Sequence, residues 1–149
     1  MMLSAHFSED ELTRSNTAIR KCIDNSPDYH IKANLIVLSN GLERVRSALG
    51  APMNINSGYR GPKLNAAVGG SRNSDHMQGL AADFTAINFG TPLEICHWLN
   101  LQKDQIGFQQ LIHEGRWVHI SFSVEAAPKL EILTAHFTPS GVTYTRGLA

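Results

Sequence analysis

The sequence predicts an α+β fold with helices packed on one face of an antiparallel sheet, and two features carry that prediction. From His30 to Leu49 the apolar positions Ile31, Leu35, Leu38, Leu42, Val45 and Leu49 recur at helical spacing. Later in the chain the pattern shifts to short strand-like runs separated by turn residues, among them Gly115-Arg116 and Pro139-Ser140-Gly141. Helices come first and antiparallel strands follow.

Ser8-Glu9-Asp10-Glu11 is a capping-box pattern flanked by Phe7 and Leu12 as a hydrophobic staple, so a first helix begins there. Asn25, Ser26 and Pro27 form a loop, and the helix from His30 to Leu49 follows. Gly50 suits the left-handed position after that helix, and Pro52 prevents its continuation. Met53 to Ser57 reads as a short strand. Gly61-Pro62 opens a short helix that Gly69-Gly70 ends. Ser71 to Asp75 is polar loop, and Leu80 to Ile87 is a strand. Thr91-Pro92-Leu93-Glu94 is a second capping box, which predicts a helix from Thr91 to about Leu101. Gln109–His113 and Trp117–Ser123 read as a hairpin turning at Gly115-Arg116. Leu130–Phe137 and Val142–Thr145 form a last pair of strands.

At 149 residues, 42% of them hydrophobic and 17% charged, the chain is expected to form one domain (1–149) with a real core. Lys plus Arg and Asp plus Glu both number 13. A formal charge of zero gives no expectation of a nucleic acid or an anionic membrane as partner. No obligate protein partner is indicated. Cys22 and Cys96 are far apart and belong to no C-x-x-C pair, so they read as two buried thiols. Met1 to Phe7 lacks the basic and apolar regions of a secretory signal, and no apolar run approaches the roughly 20 residues of a membrane span. Cytoplasmic synthesis is the expectation.

The chemistry concentrates in two segments. Ser74 to Asp83 contains His76 and Asp83, seven positions apart with Gly79 between them; Glu114 to His119 follows in the predicted hairpin. The spacing is not that of a helical H-E-x-x-H site. It suits one ligand on a loop and one on the next strand, with His119 completing a triad. Two histidines and a carboxylate leave a coordination position open, as catalytic zinc requires. Zinc suits this donor set better than other divalent ions. Zinc so held polarises a carbonyl and lowers the pKa of water. Peptide hydrolysis also needs a base, for which Glu114 is the first candidate and His113 its rival; strand alternation points the two in opposite directions. Arg60, in the glycine-flanked Ser57-Gly58-Tyr59-Arg60-Gly61, is a candidate cation for an anionic intermediate. Each residue alone has an ordinary reading: a lone histidine is most often surface or core, an isolated Asp a cap, Trp117 core, and Arg60 a solvated loop charge.

Taken together, the blocks are more specific. Ser74-x-His76-x-x-Gly79-x-Ala81-x-Asp83 resembles the S-x-H-x-x-G-x-A-x-D signature of zinc D-alanyl-D-alanine peptidases. That family includes VanX- and VanY-type enzymes, zinc D,D-carboxypeptidases and phage endolysin peptidases, and it shares its fold with the signalling domain of Hedgehog. Ser57-Gly58-Tyr59-Arg60, with Leu64 to Gly70, resembles the block preceding the signature in the carboxypeptidase and phage-associated branch, and Trp117 to Phe122 resembles its closing motif. The resemblance implies Zn2+ on His76, Asp83 and His119, catalytic and substrate contact by Arg60, and substrate-side roles for Ser74 and Tyr59. It implies peptidoglycan peptides as substrates, cut at a D,D- or L,D-type bond, by an enzyme of phage or prophage type that reaches the wall after release. Many members place the catalytic Glu three residues before the last histidine. Here that position is Arg116, and Glu114 lies five before His119, a spacing found in some members. The leading expectation is a zinc metallopeptidase with Glu114 as base. The alternative is a non-catalytic zinc-containing binding or virion-assembly module of the same fold, and a third is a metal-free domain.

Overall fold

The N-terminal helices are set by their caps. In the computed structural model, which describes residues 1–125 and 127–148, Ser8 Oγ accepts from the Glu11 amide at 3.0 Å and opens α1 (Glu9–Thr13). Phe7 and Leu12 are both buried beside it, as a staple should be. Ser15 caps a short α2 (Asn16–Arg20) that the sequence pattern does not announce; it buries only Ala18, so it has no apolar stripe to read.

α3 (Tyr29–Leu49) begins where Asp28 accepts from the Ile31 amide. Its six predicted apolar positions are all buried, and Gly50 closes it in the left-handed conformation at φ 63°. β1 (Asn54–Ser57) and α4 (Pro62–Ala67, Pro at its start) follow. The stretch expected to be loop ends in a 3-10 turn, Asp75–Gln78, before β2 (Ala81–Thr85). α5 (Pro92–Leu101) carries the complete Thr91–Glu94 capping box, with both reciprocal bonds formed. A one-turn α6 (Lys103–Ile106) leads into β3 (Gln110–His113), β4 (Val118–Ser121), β5 (Glu131–Thr138) and β6 (Gly141–Arg146).

The six strands lie in the order β1-β2-β4-β3-β5-β6. Four pairings are antiparallel, but β3 and β5 run parallel, so the sheet is mixed rather than wholly antiparallel. The cause is topological. β4 occupies the side of β3 towards β2, so the chain leaving Ser121 can pair with β3 again only on its other side. It crosses there from the end at which β3 starts, and β5 must then run in the direction of β3.

Strand alternation divides the residues between the two faces of this sheet. Ala82, Phe84, Leu111, Val118 and Ile120 join Leu35, Leu38 and Leu42 of α3 and Ile95 and Leu99 of α5 in the core. Burying each such large aliphatic or aromatic side chain stabilises the fold by roughly 1.5–3 kcal/mol. The opposite face presents a different row across the register, Asp83–His119–Ile112–Leu133–Arg146. Cys96 is buried as expected, whereas Cys22 is exposed just beyond the short α2, a helix too small to cover it; both are free thiols. No helix among the described residues is long and apolar enough to cross a membrane.

Candidate active site

Asp83 and His119 are directly opposed residues of β2 and β4. His76 reaches them from the 3-10 turn above the sheet, and several bonds hold that turn in place. Ser74 Oγ accepts from the His76 amide at 3.1 Å, Arg60 N–H donates to the His76 carbonyl at 3.0 Å, and Asn34 on α3 donates to the Gln78 carbonyl at 2.8 Å. Gly79 ends the turn at φ 71°, a conformation that any side chain there would strain. A Cβ on Gly79 would also press to 3.1 Å from Ile31.

The three side chains converge. Asp83 Oδ1 lies 3.2 Å from His76 Nε2 and 3.1 Å from His119 Nδ1, and the candidate ligand atoms all lie within 4.8 Å of one another. Bonds of about 2.0–2.1 Å at a tetrahedral centre separate neighbouring ligand atoms by about 3.3 Å. The observed spacings match that edge, and two imidazoles with one carboxylate are a donor set for Zn2+. The residues present therefore fit this cofactor. His76 Nδ1 donates to the Gly58 carbonyl at 2.7 Å, which leaves Nε2 as the ligand atom. Burial would raise the Asp83 pKa, but hydrogen bonds and charge from His119 and His76 outweigh it and hold the carboxyl well below its ordinary value.

The triad opens into a cavity of about 450 Å³ that Arg60, Ser74 and Glu114 also line. Glu114 follows β3, and its amide donates to the Trp117 carbonyl at 3.1 Å, closing the hairpin turn. Five residues from His119 along the chain, Glu114 is thus paired across the hairpin with the residue two before His119. Gln110, Ile112 and Glu114 alternate onto the cavity face. His113 is not among the lining residues, and Arg116 is exposed at the turn. Burial and the Asp83 charge push the Glu114 pKa up, against smaller opposing effects that include a hydrogen bond from the Trp117 indole at 3.1 Å.

Arg60 is half-buried. Its Nη2 lies 3.5 Å from Ser74 Oγ, and its Nε is buried without a partner among the described residues. Burial lowers its pKa, and the charges of Asp83 and Glu114 act in the opposite sense. Tyr59, expected on the substrate side, is not among the lining residues. Its ring is 9% exposed within the core, and its amide donates to the Leu12 carbonyl. Leu133 and Tyr144 do line the cavity, though no motif marks either. Alternation pairs Tyr144 with Val142 and Arg146 on one face, but which cavity that face meets depends on the partners of β5.

Residues 5–121 match the model of a family described as Peptidase M15. Over 56 residues the chain is 43% identical to the zinc D-Ala-D-Ala carboxypeptidase of Streptomyces albus G; the match covers 37% of this chain and 22% of that protein's length.

Proposed function

The chain belongs to the peptidase M15 family, and from that premise we propose that it is a zinc-dependent metallopeptidase hydrolysing peptidoglycan stem-peptide or cross-link bonds of D,D- or L,D-type. The observation that carries the reading is that Glu114 and Arg60 line the same cavity as the His76–Asp83–His119 donor set. The name of the Streptomyces relative makes a peptide ending in D-Ala-D-Ala the first substrate to try.

Bound zinc would supply Lewis acidity at the scissile carbonyl and lower the pKa of water. Glu114 takes the proton of the attacking water and returns it to the leaving amine. Its raised pKa brings the carboxyl closer to neutrality than an ordinary Glu, which suits a group that must both accept and release a proton. Arg60 faces the negative charge that develops on the carbonyl oxygen, and its half-buried setting strengthens that attraction over its value in water. Ser74 steadies both the Arg60 side chain and the turn that carries His76.

The test is mass spectrometry of monomeric and cross-linked stem peptides after incubation with zinc-loaded protein, beside His76→Ala and Glu114→Gln. A fragment made by the unmutated protein and absent with His76→Ala is expected, and its mass names the bond. Glu114→Gln should keep one zinc and lose roughly 10²–10⁴-fold in rate. No fragment from protein carrying one zinc would overturn the hydrolase and leave a zinc-containing binding module.

A further inference from the structure

The β5–β6 hairpin lies beyond the residues that match the family model, which end at 121. It nevertheless builds part of the cavity. Parallel pairing of β5 on β3 sets Leu133 beside Ile112 in the row that contains His119 and Asp83, and antiparallel pairing of β6 sets Tyr144 opposite Ala135. Leu133 and Tyr144 thereby line the same cavity as Arg60 and Ser74. Phe137 on the same hairpin contacts the Trp117 ring at a centroid distance of 6.3 Å, tying it to the residue that hydrogen-bonds Glu114.

Tyr144 is half-exposed, and its hydroxyl has no hydrogen-bond partner among the described residues. A phenol at the wall of a polar cavity, next to apolar Leu133 and within Coulombic reach of Glu114 and Asp83, is placed to meet a ligand. Burial and those two carboxylates raise its pKa, which keeps the hydroxyl protonated and therefore able to donate.

We propose that the C-terminal hairpin is the specificity wall of this site and that Tyr144 is its substrate-binding residue, donating a hydrogen bond from the phenol to a backbone carbonyl oxygen of the bound stem peptide. The inference rests on the peptide-hydrolase reading above. It adds a recognition element from outside the family-matched segment.

Tyr144→Phe removes the hydroxyl alone. Steady-state hydrolysis of a stem pentapeptide ending in D-Ala-D-Ala would be measured for the zinc-loaded wild type, Tyr144→Phe and Tyr29→Phe, the last at an exposed residue that does not line the cavity. The expected result for Tyr144→Phe is a five- to tenfold rise in KM with kcat within twofold, the sign of a contact made equally in ground and transition states. Zinc content and Tm should be unchanged, and Tyr29→Phe should match the wild type. If the wild type cleaves and Tyr144→Phe has the same KM, the proposal is overturned while the hydrolase stands. If the wild type does not cleave, the hydrolase reading fails, and calorimetric titration of the same peptide decides for Tyr144. Weaker binding to Tyr144→Phe sustains the contact; equal binding, or none to either protein, overturns it.

Discussion

His76 Nδ1 lies 2.7 Å from the carbonyl oxygen of Gly58, and that bond decides which ring nitrogen faces the metal position. A carbonyl can only accept, so Nδ1 keeps its hydrogen, and Nε2, which faces Asp83 and His119, is the nitrogen free to exchange its hydrogen for a metal. An outer contact of this kind orients the ligand and raises its basicity.

Gly58→Ala should therefore weaken zinc binding without altering a ligand. An added Cβ would overlap the Leu12 carbonyl oxygen, which accepts from the Tyr59 amide, and would push the Gly58 carbonyl out of line with His76. The expectation is a fall in zinc affinity of roughly 10–100-fold, read by competition with a chromophoric chelator. Gly50→Ala is the control, since a Cβ there meets nothing within 4 Å. It should cost about 1 kcal/mol of stability through its left-handed φ and leave zinc affinity unchanged.

Removal of the metal should lower Tm without unfolding the chain at ambient temperature, because the core beneath the sheet is built without it. Zinc at about 100 times its Kd stabilises by about 2.7 kcal/mol. For a domain near this size that corresponds to a rise in Tm of roughly 5–10 °C over the chelated protein, measured by calorimetry. Asp83→Asn should abolish most of this zinc-dependent rise, since it removes the anionic ligand shared between the two histidines. An equal rise in that variant would contradict the ligand assignment.

Trp117→Phe should move the pH profile of hydrolysis. The indole N–H donates to Glu114 Oε2 and favours the charged carboxylate, so it holds down a pKa that burial and Asp83 raise. A base must be ionised to act, so activity falls as pH drops through its pKa. That fall is the acidic limb of the kcat/KM profile. Loss of the indole donor should move the limb to still higher pH. A limb that stays in place would mean that another group sets it.

Leu38→Ala tests whether fold and site are separable. Leu38 is fully buried in the middle of α3 and makes no part of the cavity. The substitution should cost about 2–5 kcal/mol by urea denaturation, while folded protein still takes up one equivalent of zinc.

Local patterns carried whatever short-range chemistry specifies. The stripe from Ile31 to Leu49, the Thr91–Glu94 box and the left-handed Gly50 are each decided within a few residues, and each is where the pattern places it. The donor types His76, Asp83 and His119 were visible as ordered blocks, and their convergence follows from Asp83 and His119 being neighbours across two strands. Tertiary structure alone decided the rest. Period-two alternation says which residues share a face of one strand, but not which strand lies beside it. The parallel β3–β5 pairing, the place of Tyr144 on the cavity wall and the withdrawal of Tyr59 into the core all depend on contacts between residues distant in the chain. Glu114 shows the difference most directly: five residues from His119 in sequence, it joins the cavity because a tight turn pairs it with Trp117.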